Sequence, residues 1–157
     1  MGYWGLMLVL VLIIPCLMIY FGRGFYKKGA PKNINTHFGY RTTRSMQNWY
    51  TWDFAHRKFG KLISFIGLIM IPVSAALISL TVKLQPDAQT IIAVIIMGAQ
   101  SLLLIVPIVI TEKQLKTSFD EKGNRTPESL EKEEKAAQEK ADKKQAKENK
   151  SKKAKKK

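Results

Sequence analysis

The chain has 157 residues, 46% of them hydrophobic, and a formal net charge of +14. Such values exclude an ordinary soluble domain once the residues are placed, because the apolar residues fall into three runs and most lysines follow the last of them. The one cysteine, Cys16, excludes an internal disulfide framework.

The first run covers residues 3–22, "YWGLMLVLVLIIPCLMIYFG". The second covers 62–82, "LISFIGLIMIPVSAALISLTV", and the third 88–110, "AQTIIAVIIMGAQSLLLIVPIVI". Each has about 20 residues or slightly more, the length an α-helix needs to cross the hydrocarbon core. None contains Asp, Glu, Lys or Arg. Three buried soluble helices of this kind would leave so short a chain without a polar shell. The fold class expected is an all-α membrane protein with three transmembrane helices.

The first run lacks the positive n-region and small-residue cleavage site of a signal peptide, so a retained span is expected. "MGYWGL" lacks the Ser or Thr of a myristoylation site, and "IIPCL" shares only its cysteine with a lipoprotein box. Pro15, Pro72 and Pro107 place one proline in each run, where neighbouring helices can accommodate the lost donor. Gly67, Ser74, Ala75, Ala76, Gly98 and Ala99 could admit close helix approach. Taken singly, each reads as the ordinary tolerance of membrane helices for small residues.

Proton relays and ion-coupled transporters keep an ionisable group at depth, because only function offsets its cost. No such group occurs here, which argues against a pump. Gln100 is the most polar group within the runs and is expected to hydrogen-bond across helices.

The loop from Arg23 to Lys61 carries nine basic residues, including Lys27, Lys28, Arg41, Arg44, Arg57 and Lys58. The short "KLQPD" turn between the second and third runs carries only Lys83, balanced by Asp87. Positive charge resists translocation, so the long loop and the tail are expected in the cytoplasm and the N-terminus outside. That makes the predicted location the cell membrane, multi-pass.

Residues 112–157 form a Lys- and Glu-rich tail, nearly free of large apolar side chains, and are expected to be largely disordered. Residues 128–147 are rich enough in helix formers for a transient helix. Its lysines suit the anionic inner leaflet, at about 1 kcal/mol per basic residue near the surface. Nucleic acid is the less favoured partner, since the tail has no stacking aromatic residues and no folded module.

Residues 35–61 stand apart: "NTHFGYRTTRSMQNWYTWDFAHRKFGK". Pro31, Asn33, Asn35 and Gly39 read as loop. Thr42, Thr43 or Ser45 would cap a helix that has no breaker before Gly60. On that helix Met46, Trp49, Trp52, Asp53, His56, Phe59 and Ile63 share one face, with Arg57, Lys58 and Lys61 opposite. Aromatic and basic residues together suit the headgroup layer. An interfacial, cytoplasmic helix is therefore expected to lead into the second span, either continuous with it or bent near Gly60. Asp53 and His56, three apart, with His37 upstream, are a thin set for catalysis or a metal, so no enzyme, metal site or cofactor is expected. His56 is expected to cap or to pack beside Trp52.

An interfacial anchor accounts for the tryptophans and the basic residues, but not for the spacing of the rest. Asn35, Gly39-Tyr40-Arg41-Thr42, Ser45-Met46, Asn48, Thr51-Trp52, Ala55-His56 and Gly60-Lys61 resemble the signature of the SdpI family, membrane proteins of mainly Gram-positive bacteria. The resemblance covers residues 31–61 as motif and 1–111 as span pattern. It implies an SdpI-like three-span domain over 1–111, with 112–157 outside it. The family's namesake gives immunity to a sporulation-delaying toxic peptide and holds a repressor at the membrane; it also carries additional N-terminal spans that this chain lacks. By resemblance, then, the expected function is immunity to a membrane-active peptide toxin, with a cytoplasmic regulator as a further partner. The alternatives are a regulatory scaffold that uses the basic tail to recruit a cytoplasmic partner, and a small transporter or channel. Arg41 is the residue expected to make a forked contact, either pinning the loop or meeting a partner.

Overall fold

The computed structural model describes residues 2–34 and 36–154. Five helices follow one another: α1 Tyr3–Lys28, α2 Trp49–Ser79, α3 Pro86–Leu103, α4 Ile105–Ser118 and α5 Pro127–Ala154. Among the described residues there is no strand, only a bridge between Phe119 and Arg125. Three helical stretches of the described residues are long and apolar enough to cross a membrane: α1, α2, and α3 with α4 taken together. The protein is a multi-pass, all-α membrane protein. The chain forms two compact units, Met1–Leu115 and Lys116–Lys157.

In the first unit α1 and α2 pack closely along a small-residue seam. A Cβ on Gly60 would lie 2.6 Å from the Gly22 carbonyl oxygen, and one on Gly22 would lie 2.8 Å from the Gly60 carbonyl oxygen. Farther along, a Cβ on Gly67 would lie 2.9 Å from the Pro15 carbonyl oxygen. Glycine is needed at these points because the two backbones nearly touch. Gly98 has open space around it, so there the ordinary tolerance of membrane helices suffices. Met7, Val11, Ile78, Ala93 and Ile96 form one buried apolar cluster that joins all three spans.

The prolines shape the spans by removing donors. Pro15 has no N–H to offer the carbonyl of Val11, four residues earlier. The Gln100 side-chain amide supplies the missing donor at 3.2 Å, and the same nitrogen lies 2.7 Å from the Ser74 hydroxyl. One glutamine thus ties α1, α2 and α3 together at depth, as its place in the sequence suggested. Pro107 likewise denies a partner to Leu103, and the third span breaks there: α3 ends at Leu103 and α4 starts at Ile105.

The helical lead-in is continuous with the second span. α2 runs unbroken from Trp49 through Gly60 to Ser79. Its N-cap, however, is Asn48 rather than Thr42, Thr43 or Ser45. Thr42 and Ser45 are occupied with each other: the Ser45 hydroxyl accepts from Thr42 N at 2.8 Å, and the Thr42 hydroxyl accepts from Ser45 N at 3.2 Å. That closed turn delays the helix to Asn48, whose side chain accepts from Thr51 N while the Thr51 hydroxyl accepts from Asn48 N. This reciprocal pair is a capping box.

In the second unit the Asp120 carboxylate accepts from the backbone of Lys122 and Asn124 and forms a tight turn. These bonds, chiefly the one from Asn124, hold its carboxyl below the usual range. α5 then covers more of the tail than residues 128–147. It includes the whole of the stretch expected to form a transient helix. Its support is local: Ala, Glu, Lys and Gln favour the helix, and Glu128–Lys132, Glu131–Lys135 and Glu139–Lys143 pair at i,i+4.

Candidate functional site

The loop between α1 and α2 is strapped across the end of the span pair. α1 ends at Lys28, where Gly29 N closes its last turn on the Phe25 carbonyl, and Ala30 N then donates to the Asp53 carboxylate of α2 at 3.1 Å. The other Asp53 oxygen holds Arg57 Nε at 2.7 Å. The indole of Trp52, wholly buried, donates to the Pro31 carbonyl at 3.0 Å.

Gly39 then lays the chain flat on the imidazole of His56. Its φ is +129°, and a Cβ there would overlap His56 Nε2. The sequence marked Gly39 as a turn; this close approach is a second, independent reason for glycine. Tyr40 N donates to His56 Nε2 at 3.0 Å. The accepting nitrogen carries no proton, so the ring proton sits on Nδ1 and is donated to the Trp52 carbonyl at 2.8 Å. His56 is fully buried, tilted at 60° against the Trp52 ring and edge-on to Phe25. It lies in the lead-in of α2, outside the apolar stretch that begins at Leu62, and burial lowers its proton affinity.

Tyr40 carries the strap to the third span. Its hydroxyl lies 3.2 Å from the Ile108 carbonyl and 3.4 Å from Glu112 Oε2. Burial, with the Glu112 carboxylate, pushes the phenol well above the ordinary tyrosine range, so it remains a donor. The buried Ser45 hydroxyl is 3.1 Å from the Tyr40 carbonyl, and the Thr51 hydroxyl is 3.2 Å from that of Ser45.

The motif residues thus have distinct places. Gly39, Tyr40, Thr42, Ser45, Asn48, Trp52 and His56 converge on one hydrogen-bonded clamp, and Gly60 lies at the crossing with Gly22. Asn35 lies outside the described residues. Arg41 is exposed and makes no hydrogen bond or ion pair with any described residue. Pinning of the loop therefore belongs to Tyr40 and Trp52. The headgroup-anchor reading fits the exposed Trp49 and Tyr50 but not Trp52, which is interior. Asp53 and His56 face different partners, the end of α1 and the Gly39–Tyr40 turn respectively.

Sequence reasoning missed Glu112 and the Ile108 carbonyl, which lie on α4 and meet Tyr40 only through folding. It also missed Phe21, Phe25 and Phe38. Their rings approach within 5.8 Å and 5.5 Å, with Phe38 against both others. The recurrence of phenylalanine on either side of the loop start was the available signal.

No curated protein and no solved structure matches the chain. The family model described as the SdpI/YfhL protein family matches residues 32–111, just over half of the chain, from the strap through α2 and most of the third span. The chain belongs to the SdpI/YfhL protein family.

Proposed function

We propose that this is an immunity-type membrane protein that protects its cell against a membrane-active peptide. Family membership supports the reading, and one observation carries it furthest. Nearly every residue of the resembling motif is used to hold the strap rigid, while Arg41 is held outward without an internal partner. A motif built only for folding would have no use for that side chain. On this reading the strap is a fixed platform, and Arg41 is its contact with the peptide, a lipid or a cytoplasmic regulator.

The orientation belongs to the same proposal. The nine basic residues of the 23–61 loop and the lysine-rich tail favour a cytoplasmic strap and C-terminus, with the N-terminus outside. A reporter active only in the cytoplasm should work when fused after Lys157 and fail when fused before Met1.

Survival tests the function. The chain is expressed in a sensitive Gram-positive host lacking its own immunity gene, which is then challenged with a sporulation-delaying-type peptide. Protection by the wild type, lost in Arg41→Ala at matched protein level, is expected. Absence of protection at good membrane expression rejects immunity to that peptide.

A further inference from the structure

Beside the clamp lies a cavity of about 480 Å³, within the usual size range of a small-molecule site. Its wall is aromatic and aliphatic: Phe21, Phe25, Phe38, Phe59, Tyr40 and Ile108. Its polar end holds Arg41, with His37 and Thr42. A second cavity, of about 810 Å³, shares Phe21, Phe25 and Phe38 with the first and is bordered by Arg23, Lys27 and Lys28. No acidic residue lines either one.

The geometry points to a specific site for one anionic phospholipid, with its phosphate on Arg41 and an acyl chain along Phe21, Phe59 and Ile108. Three observations carry this. First, the apolar wall starts in the α1 span and ends at the basic loop, so it crosses from the hydrocarbon to the headgroup level, where a lipid makes the same transition. Second, Arg41 is a guanidinium with no partner among the described residues, and a planar fork of donors matches a phosphodiester. Third, the charged residues of both linings are all basic, which favours a head of net negative charge. A choline headgroup would bring its cation to a rim with nothing acidic to meet it. This differs from the diffuse attraction of a lysine run to an anionic surface, which needs no fixed stoichiometry. It does not rest on the immunity reading.

Native mass spectrometry of the full chain tests the site. The protein is released from detergent in the presence of equal phosphatidylglycerol and phosphatidylcholine. The salt is high enough to screen the tail, which is identical in every sample. One bound phosphatidylglycerol per chain is expected, in about tenfold preference over phosphatidylcholine, whose phosphate is the same but whose cation meets the basic residues at the rim. Arg41→Gln should lower the retention of phosphatidylglycerol about tenfold, the size expected of one charge-assisted hydrogen-bonded contact, and Arg41→Lys should keep part of it. Lys83→Gln, in the turn between the second and third spans, should leave it intact. Because Arg41 bonds to no described residue, its variants should melt with the wild type, which separates lost binding from lost folding. Equal retention of both lipids, unchanged retention of phosphatidylglycerol in Arg41→Gln, or an equal loss in Lys83→Gln overturns the proposal. Displacement of the lipid by millimolar glycerol phosphate would assign the site to free phosphate and overturn it as a lipid site.

Discussion

At Gly39 a backbone dihedral and a steric contact demand the same residue. The φ of +129° is strained for any L side chain, and a Cβ would strike the ring that Tyr40 N must reach. Gly39→Ala should therefore be worse than an ordinary glycine substitution. The backbone strain alone is worth about 1–3 kcal/mol, and loss of the amide bond to a buried imidazole adds to it. Thermal unfolding in detergent should show a clear fall in midpoint, while Gly2→Ala, where a Cβ meets nothing, should not. Equal midpoints would mean that the strap does not rest on His56.

The spans meet through backbone as much as through side chains. At the Gly22–Gly60 crossing any larger residue must push α1 and α2 apart, whereas Gly98 faces open space. Gly60→Leu should lower the unfolding midpoint strongly, while Gly98→Leu should stay within about 0.5 kcal/mol of wild type, the usual range for a substitution that touches nothing. Gln100 offers a subtler test. Its amide serves a carbonyl that Pro15 leaves without a donor. Gln100→Leu should cost about 1 kcal/mol, near the range measured for interhelical hydrogen bonds in membranes. Pairing it with Pro15→Ala, which restores the helix's own donor, should shrink that cost. An undiminished cost would show that the Val11 carbonyl is not the partner that matters.

Across the whole molecule, the clamp links one loop to all three spans, and its stability depends on a neutral His56. Burial lowers the proton affinity of His56 on folding, against the weaker opposing pull of the Trp52 carbonyl and the Asp53 charge. The folded protein thus binds this proton less readily than the unfolded chain. Its stabilising contribution is complete above the ordinary histidine value of 6.5 and is lost as pH falls through the lower folded value. Unfolding midpoints in detergent should drop between pH 7.5 and pH 5. The drop should be smaller in His56→Gln, which starts less stable but has no proton to gain. Parallel curves for the two proteins would place the titration elsewhere.

How much of this was legible beforehand depends on the range of the forces involved. Spans, the lead-in helix and the basic tail are properties of contiguous stretches. Length, hydropathy and charge act locally, so readings of 3–22 and 88–110 land inside the first and third helical stretches found, and 62–82 overruns the end of the second, at Ser79, by three residues. The motif was visible as a pattern, yet the sequence could not show that Trp52 is interior, that Asn48 rather than Ser45 caps α2, or that Glu112 sits near Tyr40. Each of those depends on which groups compete for the same donor or space. The sequence by itself determined that the chain lives in a membrane, how many times it crosses and where its charge accumulates, because transfer from water to hydrocarbon is decided segment by segment. Only the tertiary structure decided that the motif closes into a clamp with Arg41 left outside it, because hydrogen bonds and close contacts between residues 16 to 89 positions apart exist only after the helices have packed.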